Sequence, residues 1–157
     1  MRRQLSRKRR RKGTTLVETA FILPIFFVFA FGLMQVGHIN MVQRVMERAC
    51  LAAARLGATD GITTDEAETH LRGILATAFD QNHVAVVVKD ASVFDTGGDL
   101  PETTADFGNL PDIELEDTET GDLFVVRATL RYNDIALIPL TVMDDVELVS
   151  QTFARHE

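Results

Sequence analysis

The residues able to do chemistry are few and scattered. Four histidines, His38, His70, His83 and His156, form no ligand-spaced pair, and neither a nucleophile elbow nor a phosphate-cradling glycine loop occurs. The single cysteine, Cys50, excludes an intrachain disulfide and a multi-cysteine metal cluster; it reads as a small buried residue, with an intermolecular disulfide as the functional alternative. Between Lys89 and Arg127 no Lys or Arg interrupts the carboxylates that run from Asp95 to Asp122. Hard oxygen ligands for calcium abound there, but Asp117-Thr118-Glu119-Thr120-Gly121-Asp122 lacks the ligand spacing of an EF-hand, and the Gly and Pro content is that of a solvated surface insertion. Catalysis finds no support in this inventory: no cofactor or metal is expected, and the chain reads as a structural or assembly protein and not an enzyme. The most informative residue is Glu18, because a carboxylate at the margin of an apolar helix raises the free energy unless a cation lies near it.

The element that positions Glu18 follows it directly. Thr19 to Gly37 carries no charge, and its 19 residues would span about 30 Å as a helix, the thickness of a bilayer core. Phe21, Phe26, Phe27, Phe29 and Phe31 spread round that helix, as expected when every face meets lipid or other apolar helices. A buried soluble helix would need an apolar surround that so short a chain can hardly supply. Pro24 is compatible with a membrane helix and marks a site for a kink. The 16 basic and 23 acidic residues, a formal net charge of -7, are unevenly placed. Arg2, Arg3, Arg7, Lys8, Arg9, Arg10, Arg11 and Lys12 are half of all the Lys and Arg, and without them 8 basic residues face 23 acidic ones, a formal -15. This asymmetry makes Arg7 to Lys12 the topology determinants and places the N-terminus in the cytoplasm, with everything after Gly37 outside. A basic run can also bind nucleic acid or serve as the n-region of an export signal. Its adjacency to the span favours topology, so no nucleic-acid partner is expected, and the span exceeds the apolar region of an ordinary cleaved signal.

Lys12-Gly13-Thr14-Thr15-Leu16-Val17-Glu18 joins the basic run, a glycine and a glutamate immediately before the span. This spacing resembles a type IV prepilin processing site. The resemblance implies that a prepilin peptidase cuts after Gly13, so that Thr14 becomes the first mature residue and Glu18 the fifth, available to guide docking to other pilins. Read from the residues alone, Gly13 ends a basic tail and Glu18 complements the positive end of a helix. Leu16-Val17-Glu18-Thr19-Ala20-Phe21-Ile22-Leu23-Pro24-Ile25, then Phe31-Gly32-Leu33-Met34-Gln35-Val36-Gly37 and the Ala- and Arg-rich stretch Arg48 to Gly57, are similar to the TadE-like family of tight-adherence pilus proteins. That resemblance covers residues 12 to 57. It implies a single-pass protein of the cytoplasmic membrane, a pseudopilin of a type IV-like secretion and adhesion system. Its partners would be the prepilin peptidase, other pilins or pseudopilins, the pilus assembly platform and the lipid bilayer. The competing reading is an uncleaved single-span envelope protein with an outer binding domain.

Beyond the span the periodicity changes. Val42, Val45, Met46, Ala49, Ala52, Ala53 and Leu56 recur at helical spacing, so the helix is expected to continue into water as far as Gly57, with Ala49, Ala53 and Gly57 permitting close approach of another backbone. Thr63 and Glu66 form a capping box ahead of a second short helix carrying Ala67, Leu71, Ile74 and Leu75. Val84 to Val88, Phe124 to Tyr132 and Val146 to Phe153 read as strands, predicting an antiparallel sheet with one face on the helices, followed by a last run to Glu157. The expected fold class is α+β: a basic leader over residues 1–13, a long helix over 14–57 with the span at about 19–37, and an extracytoplasmic domain over 58–157 with an acidic loop at 95–122.

Overall fold

The computed structural model describes residues 3–95, 97, 104–136 and 146–157, and for 3–14, 81, 104 and 105 it describes the backbone alone. The chain is α+β. Its elements are α1 (Arg3–Gly57), α2 (Thr64–Leu75), β1 (Val84–Asp90), the single turn α3 (Thr104–Gly108), β2 (Leu123–Arg131) and β3 (Glu147–Arg155), with short 3-10 turns at Gln81–His83, Ser92–Phe94, Leu115–Asp117 and Tyr132–Asp134. The chain divides into two compact units, one ending at Gly37 and the other beginning at His38.

In the first unit the stretch from Thr15 onward is helical and apolar on all sides. Phe21, Ile22, Phe26 and Phe27 are all exposed, between 48% and 74%, although their positions point in different directions round the helix. Within the helix Phe27 stacks on Phe31 at 6.1 Å between ring centroids. Pro24 lies inside the helix. Thr19, polar at the start of the apolar stretch, donates its hydroxyl to the Thr15 carbonyl at 2.8 Å, which satisfies it within its own helix. This helix is long and apolar enough to cross a membrane, by length and composition.

The second unit is built round a three-stranded antiparallel sheet in the order β1-β2-β3. Val86 opposes Ala128, which opposes Ser150, so Val84, Val86 and Val88, then Phe124, Val126, Ala128 and Leu130, face one side. That face packs against Val42, Met46, Ala49, Cys50 and Ala53 of α1 and Ala67, Leu71 and Leu75 of α2 in one buried cluster. Burial of each large side chain in it contributes about 1.5–3 kcal/mol. The capping box starts α2: the Thr63 hydroxyl accepts from Glu66 N–H and the Glu66 carboxylate accepts from Thr63 N–H, both at 3.2 Å. At Gly57 the approach is too close for a side chain, since a Cβ there would stand 2.8 Å from Leu115 Cδ1 and 3.4 Å from the Phe124 ring.

The sheet differs from expectation on its second face. Central β2 is buried from Phe124 through Leu130 on both sides and shows no alternation. Val125, Ala91 and Phe107 form a second cluster, with Phe94, Leu110, Leu123 and Phe153 packed against it. The acidic segment 95–122 is therefore only partly the solvated surface its composition predicts. Its apolar members Phe107 and Leu115 are buried, because apolar surface lost from water outweighs the segment's average polarity. Residues 96 and 98–103 of that segment, and 137–145 of the connection containing Pro139, lie outside the described residues. The last strand ends at Arg155 and does not continue to Glu157.

Candidate processing and assembly segment

Gly13, Thr14 and Glu18 all lie within α1. The backbone of Arg7, Lys8, Arg9, Arg10, Arg11 and Lys12 is helical too, while their side chains, like those of Gly13 and Thr14, fall outside the described ones. Glu18 is exposed. Along the helical backbone Thr14 and Glu18 stand at positions i and i+4, one turn apart.

The histidines remain dispersed, each in its own setting. His38 belongs to the second unit, where its Nδ1 lies 3.4 Å from the hydroxyl of fully buried Tyr132. Burial pushes the Tyr132 phenol up from its ordinary pKa. His70 is exposed, and His83 stands 3.7 Å from Asp134 at the surface. His156 is buried, with neither ring nitrogen hydrogen-bonded. The reason is backbone pairing: His156 N–H donates to the Asp122 carbonyl and its own carbonyl accepts from Gly121 N–H, which draws the residue under the turn.

Cys50 is buried, and its S–H donates to the Ser150 carbonyl at 3.6 Å. Desolvation raises its thiol pKa, partly countered by that hydrogen bond. Arg127, on the second sheet face, donates to Gln151 Oε1 at 2.7 Å and lies 4.1 Å from the Phe107 ring centroid. Burial lowers its pKa. The acidic segment ties itself down with its own carboxylates. Glu114 accepts from Thr64 N–H at 3.0 Å at the N-terminus of α2, Asp112 pairs with Lys89, and Asp95 receives both terminal nitrogens of Arg155 at 2.6 and 3.0 Å. Among the described residues no three His, Cys, Asp or Glu side chains are grouped as a metal site requires.

One arrangement was not singled out from the sequence. Met41, Arg44, Arg48, Leu51 and Arg55 recur at spacings of three and four along α1, all exposed and opposite the buried stripe. In the sequence Arg48 and Arg55 stand out only as part of the Ala- and Arg-rich stretch Arg48 to Gly57. The signal that would have found them is their own spacing, offset from Val42, Met46, Ala49 and Ala53.

Neither a curated protein nor a solved structure matches the chain at a significant level. A family model does, beginning at Gly13 and running through the span and the exposed arginines to Arg55. Over these residues 13–55 the chain matches the family described as TadE-like protein, the family to which its Gly13, Glu18 and Leu23-Pro24 motifs pointed.

Proposed function

We propose that this chain is a minor pilin-like subunit that helps build or anchor a tight-adherence pilus used in surface attachment, and that it is matured by prepilin peptidase cleavage after Gly13. The observation that carries this reading is the TadE-like match over residues 13–55, which starts at the glycine of the processing motif and leaves the basic run outside. The chain acts by assembly and not by catalysis: chemistry is done on it, at the Gly13–Thr14 peptide bond. Its N-terminus is cytoplasmic, its span lies in the cytoplasmic membrane, and its sheet domain lies outside. The peptidase, other pilins or pseudopilins, the assembly platform and the bilayer are its partners.

The helical backbone through residues 7–18 gives Gly13 a physical role. A protease engages an extended backbone, so α1 must open locally at the cut. Glycine eases that opening, being about 1 kcal/mol less favourable than alanine inside a helix. It also leaves the scissile carbonyl unshielded. Cleavage then creates an ammonium group at Thr14, one turn from Glu18, and either this group or that of a neighbouring subunit neutralises the carboxylate in a low-dielectric setting.

The test is the mass of the mature N-terminus in cells with and without the peptidase. A chain starting at Thr14 only when the peptidase is active supports the proposal, and Gly13→Ala is expected to slow the cut while larger residues block it. Retention of residues 1–13 in the presence of active peptidase would overturn it in favour of an uncleaved envelope protein. Glu18→Gln is expected to insert and be processed normally yet fail in crosslinking to partner pilins. Full attachment by this variant would remove Glu18 from the assembly mechanism.

A further inference from the structure

Arg44, Arg48 and Arg55 lie on one exposed stripe of α1, separated by Leu51 and headed by Met41. No carboxylate among the described residues pairs with any of the three, although the molecule forms ion pairs elsewhere. Glu47 lies beside the stripe and is reached only by Gln43, at 3.5 Å. The face is thus a net cationic surface with two apolar side chains, 61% and 42% exposed, in a unit whose remaining surface is acidic. Exposed apolar residues flanked by unpaired charges of one sign suit a protein contact better than bare solvent.

The complementary surface is present in the same chain. Glu116, Asp117 and Glu119 are exposed, next to fully buried Leu115. Leu115 touches the Gly57 position, which fixes this acidic turn at the C-terminal end of α1. Gly57 follows Arg55 by two residues, which is about 200° round a helix. The acidic turn and the arginine stripe therefore sit on opposite sides of α1 and do not pair within one chain. At about 1.5 Å per residue the turn packed at Gly57 stands about 3 Å beyond Arg55 and about 9 Å beyond Leu51 along α1, level with the C-terminal end of the stripe.

We propose that the sheet domain associates head to tail with a second copy of this chain, the acidic turn 114–119 of one copy docking on the Arg48–Arg55 end of the stripe of the next. The two surfaces differ, so the contact is heterologous and one copy leaves a free stripe at one end and a free acidic turn at the other. Such pairing extends into rows. The inference rests on the reading of residues 15–37 as a membrane span, because it needs two copies in one membrane with the same orientation; it does not require leader cleavage.

The experiment uses two differently tagged full-length copies co-expressed in membranes, with a photo-crosslinking amino acid at Leu51 of one. The expected product joins the two tags, and its peptide map places the partner site within residues 114–122. Arg48→Glu with Arg55→Glu in the probe-bearing copy is expected to reduce this product about tenfold. Glu116→Arg with Asp117→Arg in the other copy is expected to restore it. Restoration by opposite charges cannot come from misfolding. The proposal is overturned if Leu51 crosslinks only to a different protein or to lipid, if the partner site maps elsewhere, or if the reversed pair fails to restore the product while Cys50 stays protected from thiol reagents in both copies. N-terminal mass from the same samples reports processing separately, so failure here leaves the maturation reading distinguishable.

Discussion

The two stretches of α1 make the same backbone hydrogen bonds but answer to different surroundings. From Thr19 to Gly37 apolar residues occupy every direction and most stay exposed, whereas from His38 to Gly57 most of them gather in one buried stripe, with Met41 and Leu51 left exposed on the other side. The difference teaches that hydrophobic content alone does not tell a membrane helix from a core helix. Its distribution round the axis does. A helix without a polar face has no orientation in which water is tolerable, while one with a polar face can be half covered by a sheet.

The comparison can be broken by substitutions that act on one stretch only. The largest effect is expected at Met46, fully buried between α1 and the sheet: Met46→Ala is expected to destabilise the second unit by about 2–5 kcal/mol through the cavity it leaves, with membrane insertion unchanged. Cys50 supplies the measurement. As the single cysteine, buried and with its thiol pKa raised, it is expected to react with thiol reagents at least about a hundredfold more slowly than in the unfolded chain, so its labelling rate reports opening of this unit. The converse substitution is Val28→Arg. It is expected to oppose insertion by about 2.5–3.5 kcal/mol, seen as loss from the membrane fraction, while Cys50 protection in the inserted fraction stays as in the parent. If Val28→Arg exposes Cys50, or Met46→Ala blocks insertion, the two stretches are not independent.

Smaller effects sharpen the boundary of the buried stripe. Gly57→Val is expected to destabilise the second unit by about 1–3 kcal/mol, because its side chain would overlap Leu115 and press on Phe124; urea titration of Cys50 protection would detect it. Thr63→Ala removes one half of the capping box at the start of α2 and is expected to lower stability by about 1 kcal/mol by the same assay.

What was legible in the sequence is what is local. Thr63 and Glu66 are three residues apart, and the helical recurrence of Val42, Met46, Ala49 and Ala53 is complete within four turns, so the structure returns both as read. Glu18, read from the residues alone as complementing the positive end of a helix, lies fifteen residues inside α1, which begins at Arg3. The second cover of β2 was hidden because it depends on pairs far apart in the chain, such as Phe107 beneath Arg127 and Ala91 beside Val125. Local composition registered the carboxylates between Asp95 and Asp122 and averaged away the few apolar side chains that dock. The burial of His156 was hidden for a related reason: it follows from backbone pairing with Gly121 and Asp122, which no nearby side chain announces.

The contact from Cys50 to the Ser150 carbonyl joins residues 100 positions apart, and β3 pairs along the whole of β2. The small-residue side of α1 is thus made early in synthesis, whereas the strand that lies over Cys50 comes late. At a ribosomal rate of about 5–20 residues per second, that side waits about 5–20 seconds for its cover. During this interval α1 offers a stripe of Ala, Cys and Met to any passing chain. Small residues make the wait less hazardous than leucines or phenylalanines would, because they expose little apolar area before the sheet arrives.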